Sequence, residues 1–413
     1  MAGASANLDQ RRDYAAPTHA SSQITAPHIG ALRLTHFRSH EQLDIACASG
    51  AMVLTGANGI GKTNVLEALS MLAPGRGLRS AAFDDMRFER RLGWTVSADI
   101  VTAQGTARAG IGWRDGARRV RLDGANGKLD DVAHLLPQLW LTPAMDRLFV
   151  DGASGRRKFL DRFAQSLDAT LSKALSAYEK AMRNRNRLLQ EPGGAHGSGE
   201  TALWLDGLEE AMALHGVAIA AARLTALDAL AVGLAAIPEA AFPRAEIALI
   251  GTLEAALRMQ SALEVEDGFR ARLKATRPLD GAAGRCLEGP HRSDLQTIYA
   301  AKNMPAADCS TGEQKALLVG LILAQAHSVA AQRGDVPILL LDEVAAHLDR
   351  TRRGALAEIL CELGGQSWIT GTDRHSFDGF ETVFGTDLAA INMQENGAGN
   401  NFDARENGSE DNE

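Results

Sequence analysis

From Ile29 onward, apolar and polar positions alternate through ALRLTHF and again through QLDIA, and Met52-Val53-Leu54 then forms an unbroken apolar run. Alternation predicts strands with one buried face, and the short apolar run predicts a strand covered on both faces. A glycine-rich stretch leads from that run into NVLEALSML, whose apolar residues recur at helical spacing. Three further alternating segments, WTVSADIV, ARAGIGW and RRVRLDG, are separated by polar turns, which predicts antiparallel strands. A tight turn is expected around Gly124-Ala125-Asn126-Gly127. From about Asp151 the period becomes helical. GRRKFLDRFAQSLDATLSKALSAYEKAMRNRNRLLQ reads as one helix of roughly 35 residues, broken by EPGGAHGSGE; such a helix reaches ~50 Å. A second helical stretch, starting at TALWLDGLEE, ends near Pro238. Mixed strand and helix return from about Ala245 to Asp294, followed by an apolar helix, KALLVGLILAQAHSVAAQ, and the strands VPILLLDE and SWIT. The last strands are expected near ETVFGTD and LAAINM.

The stretch joining the third strand to its helix is GANGIGKT, residues Gly56, Ala57, Asn58, Gly59, Ile60, Gly61, Lys62 and Thr63. A G-x-x-x-x-G-K-[ST] pattern carries weight only in this strand-to-helix setting. There the glycines let backbone N–H groups face a polyphosphate, and the helix start adds its positive dipole end. Lys62 is placed to reach the β- and γ-phosphates, and the Thr63 hydroxyl to sit on Mg²⁺. The chain is therefore expected to bind a nucleoside triphosphate.

A second element fits that chemistry. Leu339-Leu340-Leu341 ends in Asp342 and Glu343, about 280 residues beyond the P-loop. Strands of such sheets carry their active groups at the C-terminal end. Asp342 is placed to hold Mg²⁺ and Glu343 to polarise a water against the γ-phosphate. Ser310-Thr311-Gly312-Glu313 opens the apolar helix before that strand. By itself it reads first as a capping box, with Ser at the N-cap and Glu three residues on, and second as an anion site at a helix start.

The order of these parts resembles the SMC-like branch of the ABC ATPases, and within it the RecF family. The resemblance rests on LRLTHFRSH (32–40), GANGIGKTNVLEAL, PGRGLRS (74–80), GRRKFLDR (155–162), AYEKAMRNRNRLL (177–189), GPHRSDL (289–295), STGEQKALL (310–318) and LLLDEVAAHLD (339–349). These stretches follow one another in order, and the resemblance extends over nearly everything from residue 29 to 393. The resemblance implies an α/β ABC-type ATPase head with a mixed sheet and P-loop, plus an inserted helical lobe. The divisions it suggests are a disordered N-terminal extension (1–28), a first head segment with the P-loop (29–150), a helical lobe (151–280), a second head segment with the signature and Asp342 strand (281–394) and a disordered acidic tail (395–413). It further implies ATP and Mg²⁺ as cofactors and weak, DNA-stimulated hydrolysis. Two ATP molecules would be sandwiched in a homodimer that clamps double-stranded or gapped DNA, with RecR, RecO and RecA as partners. No membrane partner is expected. Ser310 and Gly312 would then form the signature that closes on the γ-phosphate held by the partner subunit. His347-Leu348-Asp349 stands at the D-loop position and Thr372-Asp373 at a switch position. Arg38 would contact the nucleotide. Three departures are plain, the first being that the usual switch histidine is absent at Thr372-Asp373, with His375 nearby read as a surface residue. Pro143-Ala144-Met145-Asp146 stands where the family has P-E-D-L, leaving Asp146 to take the metal or water contact, and Glu313 stands where ABC proteins carry Gly or Gln.

Composition adds little for or against this. The net charge of −8 is unusual for a nucleic-acid binder, but residues 396–413 alone contribute −4. Basic residues expected to meet DNA are Arg76, Arg79, Arg156, Arg157 and Arg185, with Lys158, Arg183 and Arg187 nearby. Aromatic content of 5% argues against a stacking platform for single strands and favours duplex or junction binding. Four dispersed cysteines without a C-x-x-C pair fit reduced thiols in a cytoplasmic setting and no zinc site. No unbroken apolar run reaches the roughly 18–20 residues of a membrane span. A transporter ATPase and a long-armed chromosome protein are the rival readings. NVLEAL and the incomplete LSGGQ speak against the first, and the chain length against the second.

Overall fold

A computed structural model of the chain describes residues 26–191, 199–394 and 400–403. In order, the chain forms β1 (His28–Phe37), β2 (His40–Ala46), β3 (Ala51–Thr55), α1 (Lys62–Ser70), β4 (Gly93–Thr102), β5 (Gly105–Arg114), β6 (Ala117–Leu122), β7 (Ala125–Asn126), α2 (Leu129–Leu135) and β8 (Gln138–Leu141). Helices α3 (Ala153–Leu167), α4 (Leu171–Gln190) and α5 (Glu200–Ala236) follow, then β9 (Ala245–Ile250), α6 (Thr252–Leu257), α7 (Ala262–Ala275), α8 (Arg277–Ala283), β10 (Asp294–Tyr299) and β11 (Met304–Pro305). The chain continues through α9 (Thr311–Arg333), β12 (Ile338–Leu341), α10 (Arg350–Leu363), β13 (Ser367–Thr370), α11 (Asp378–Phe384), β14 (Leu388–Asn392) and β15 (Asn400–Asp403).

The short apolar runs assemble into one parallel sheet, ordered β14-β3-β13-β12-β8. Its residues alternate between two cores. Ala51, Val53, Leu339 and Leu341 face the helical side, while Met52, Leu54, Ile338 and Leu340 face the second sheet. Burial on both faces is why these strands read as continuous apolar runs. The second sheet is ordered β15-β2-β1-β4-β5-β6-β7 and is antiparallel from β2 to β7. One face carries Leu32, Leu34, Val96 and Ala98 inward onto α1, and the other is polar. That accounts for its alternating sequence. The turn expected around Gly124 to Gly127 lies one residue earlier, in the two-residue Asp123-Gly124 link between β6 and β7 with φ of 51° and 81°, and Ala125-Asn126 is strand. Positive φ at both positions is the mark of a hairpin turn that matches strand twist.

Four expectations are corrected. The stretch read as one helix is two, because Asp168 turns to extended backbone and its carboxylate accepts from Thr170 N at 2.9 Å. An Asx turn of this kind offers the backbone an alternative to the helix. The long element is instead α5, with 37 residues, or ~55 Å. ETVF is helical in α11, where Phe380 and Phe384 recur at helical spacing from the N-cap residue Phe377 and Phe380 stacks on Phe384 at 6.2 Å. The region assigned to a disordered tail contributes β15, which pairs parallel with β2; residues 395–399 and 404–413, like 1–25, lie outside the described residues. Finally, α5 and α9 are long and apolar enough for a membrane span by length and composition, although no single run suggests it. Their most apolar windows are 56% and 78% buried within the protein, α5 packing against α4, α7 and α9. That burial makes them core helices here.

Candidate nucleotide-phosphate site

The P-loop connects the end of β3 to α1. Gly56, Gly59 and Gly61 have φ of 138°, 85° and 111°, a region that only glycine occupies without strain. At Gly61 the constraint is also steric, since a Cβ would lie 2.7 Å from both His40 Nε2 and Ser39 Oγ. Ala57, Asn58, Gly59 and Ile60 form the exposed rim. No side chain caps α1, so its first N–H groups remain available to an anion. Lys62 is 4% exposed and its Nζ donates to the Gly56 and Ala57 carbonyls at 2.6 and 3.0 Å. Burial lowers its pKa, against the pull of Glu343 and Asp342.

Asp342 lies at the end of β12 beside this loop. Its Oδ1 accepts from Thr63 Oγ1 at 2.9 Å and from Thr370 Oγ1 at 2.8 Å. Burial raises its pKa, and those two hydroxyls offset part of the rise. Thr370 also accepts from Glu343 N at 2.9 Å, so one hydroxyl at the end of β13 orients both acidic residues. Thr370 was missed from the sequence because a threonine ending a buried strand carries no distinguishing pattern. Glu343 is held at φ 53° and is half-buried. Together Thr63 and Asp342 fit a divalent cation. The carboxylate is desolvated, has no cationic ion-pair partner among the described residues, and has a hydroxyl oxygen beside it.

A cavity of about 640 Å³ adjoins Thr63, Asp342 and Glu343, with Arg79, Lys158 and Arg162 in its walls. Arg162 lies 4.0 Å over the Trp140 ring, and burial pushes its pKa down to about 9. Glu67 of α1, fully buried, ties this region together. Arg38 grips its two oxygens at 2.8 and 2.7 Å, and Arg79 adds a contact at 3.2 Å. Arg38 is thus beside the P-loop helix but engaged with Glu67. Asp146 pairs with Lys315 of α9 at 2.9 Å.

Ser310 realises the capping box. Its hydroxyl meets Glu313 Oε2 at 2.8 Å, and Glu313 N donates back to it. Lys302 and Ser310 hold the Glu313 carboxyl at about 2. The site where a Cβ would stand on Gly312 has no atom within 4 Å. Neither residue lines the cavity beside Thr63 within one chain. Asp349 caps α10 through Arg352 N, and Asp373 accepts from His375 N.

The basic residues selected from sequence fare unequally. Arg76 is exposed with no side-chain partner among the described residues. Arg79 faces the cavity. Arg156 forks onto Asp294 at 2.7 and 2.9 Å and also donates to three carbonyls, while Arg157 donates to Ser293 O. Both fix α3 to the start of β10. Arg185 is wholly buried, bonded to Glu209, Asp280 and the Leu273 carbonyl. A side chain with no exposed surface cannot meet a phosphate backbone, so Arg185 is withdrawn as a DNA contact.

The family described as RecF/RecN/SMC N terminal domain matches residues 28–397. The chain is 48% identical over 360 residues to the DNA replication and repair protein RecF of Brucella suis biovar 1 (strain 1330), covering 85% of this chain and 91% of that protein. Among solved structures, that of the recombination mediator protein RecF-ATPrS in the RecFOR pathway superposes with a TM-score of 0.75 at 22% identity, over 89% of this chain and 97% of the other. The corresponding RecF-ATP structure gives 0.76 at 23%, over 86% and 95%.

Proposed function

Because the chain belongs to the RecF family and folds as an α/β ABC-type ATPase head, we propose that it is an ATP-dependent DNA-binding protein of replication and repair. The observation that carries this reading is the contact between Thr63 and Asp342, residues 279 apart in sequence that meet at 2.9 Å. It joins a phosphate cradle to a buried carboxylate, which is the minimum for binding a metal-complexed triphosphate. Gly56 to Gly61 and the open end of α1 receive the phosphates. Lys62, now bonded to loop carbonyls, has donors ready to exchange them for phosphate oxygens. Thr63 and Asp342 are the residues that would hold Mg²⁺, which when bound neutralises charge on the β- and γ-phosphates. Glu343, oriented through Thr370, accepts the proton of the attacking water. Catalysis by such a site is positioning and electrostatics.

Ser310 and Gly312 stand outside the cavity in one chain, and a second copy is the natural source of the missing wall. On this reading ATP holds two heads together around double-stranded or gapped DNA, and slow hydrolysis releases them. RecR, with RecO and RecA in the same pathway, are the partners that the family suggests.

The test is anisotropy of labelled duplex and single-stranded DNA with and without ATP over a salt series. Wild type is expected to bind duplex only with ATP, and Ser310→Arg to lose that binding while still binding nucleotide. Duplex binding indifferent to ATP would overturn the gating. Lys62→Arg is expected to lower hydrolysis more than ATP binding, checked by comparing turnover with nucleotide affinity, because it keeps the charge but replaces a point donor by a planar fork.

A further inference from the structure

The outer face of the antiparallel sheet carries a feature that the nucleotide site does not use. On β5, Gly110 and Gly112 face solvent without side chains. Their neighbours on β4 are Ser97 and Thr95, and on β6 they are Arg121 and Arg119. The result is a trough, about 540 Å³ in volume, floored by bare backbone. Its walls include Thr95, His36, Leu92, Trp94 and Trp113 besides the two arginines of β6. Arg91 and Arg114 close its ends, and no carboxylate lines it.

Charge separates this trough from the rest of the surface. The chain as a whole is acidic, with a net charge of −8. Of the arginines that sequence alone suggested for DNA, Arg76 is free among the described residues, whereas Arg156 is held by Asp294, Arg157 by Ser293 O and Arg185 by Glu209 and Asp280. Arg119 and Arg121 are exposed, and their side chains have no hydrogen bond or ion pair among the described residues. They stand two residues apart on one strand, hence roughly 7 Å apart on the same face. Arg91 meets Glu41 at 2.9 Å and Arg114 meets Asp115 at 3.7 Å, which leaves Arg119 and Arg121 as neighbouring like charges without counter-charge, a costly arrangement in self-repulsion. A polyanion relieves that cost.

We propose that this trough is a docking site for the sugar–phosphate backbone of duplex DNA, with Arg119 and Arg121 each taking a phosphate and the glycine floor letting the backbone approach. The proposal rests on the DNA-binding reading above. Phosphate contacts of this kind position a duplex without reading its sequence, and each shows as a salt-dependent term in affinity.

The test is the salt dependence of ATP-supported duplex binding for wild type and three variants. Arg119→Ala/Arg121→Ala is expected to bind about tenfold more weakly at moderate salt and to lose about two units of log–log slope, one per arginine. Gly110→Val removes no charge but fills the floor, where a Cβ has only Val96 O at 3.9 Å nearby, and is expected to weaken binding as well. Arg270→Ala/Arg272→Ala, on α7 and paired with Asp267 and Glu288, is the charge-matched control and should leave the slope unchanged. A double variant with wild-type affinity and slope would overturn the trough while leaving DNA binding elsewhere intact. A wild-type protein that binds no duplex at any salt would remove the reading of the whole chain. Competition by a poly-glutamate peptide but not by duplex would assign the trough to an acidic protein and overturn the proposal.

Discussion

Glu343→Gln is expected to leave ATP bound and to lower its hydrolysis at least a hundredfold. Loss of a positioned general base costs about 10²–10⁴ in rate. Nothing in the way Glu343 is held depends on its carboxylate. Its backbone N–H donates to Thr370 Oγ1 at 2.9 Å, and its φ of 53° is set by the turn leaving β12. Glutamine keeps that turn, the side-chain volume and the hydrogen bond, and loses only the capacity to accept a proton. Asp342 and Thr63 are untouched, so the cation-binding pair at 2.9 Å persists. The variant should therefore accumulate in the ATP-bound dimer. Turnover measured by phosphate release, nucleotide affinity by a fluorescent ATP analogue and dimer fraction by size exclusion together decide the point. Wild-type turnover would remove Glu343 from the role of base. Loss of ATP binding would mean that its carboxylate supports the fold of the site.

How much of this was legible in the sequence depends on the range over which each signal acts. The P-loop was legible because its glycines, lysine and threonine are contiguous and their spacing is fixed by one turn of backbone. The strand ending in Asp342 was legible because burial on both faces leaves an unbroken apolar run. Thr370 and Glu67 were not, although each orders several charged groups. Their partners lie 28 residues away in one case and as far as 29 in the other, on elements joined only by the fold. The break between α3 and α4 was missed because Asp168 and Thr170 are compatible with helical spacing, and a local side-chain bond tips the balance. The arginines were misjudged for a different reason. Sequence gives charge and helical phase but not the carboxylates that meet it, so Arg156 and Arg185 looked as free as Arg76, and Arg119 and Arg121 were passed over.

Arg185→Ala, for that reason, is expected to cost the fold and not the DNA contact. Its guanidinium is 0% exposed and uses all three nitrogens, donating to Glu209 at 2.9 Å, Asp280 at 2.7 Å and Leu273 O at 2.6 Å. It thereby ties α4 to α5, α7 and α8. Arg277 also donates to Glu209, so that carboxylate would keep one partner; Asp280 would keep only Leu287 N and the Thr276 hydroxyl. An anion left buried with its cation removed destabilises by about 3–5 kcal/mol. With about 2.1 cal/mol/K of unfolding entropy per residue, each kcal/mol moves Tm by about 1 °C in a chain of 413 residues, so the melting point should fall by about 3–6 °C. Arg185→Lys should recover only part of it, because an ammonium cannot reproduce a fork that meets three acceptors at once. Arg185→Met combined with Asp280→Leu should recover more, since a matched apolar replacement removes the unpaired charge along with its partner. Denaturation scans and duplex affinity measured on the folded fraction separate the two roles. A fall of several degrees in Tm with unchanged DNA affinity is the expected pattern. An unchanged Tm with weakened DNA binding would return Arg185 to the interface and would require the helical lobe to open when DNA arrives.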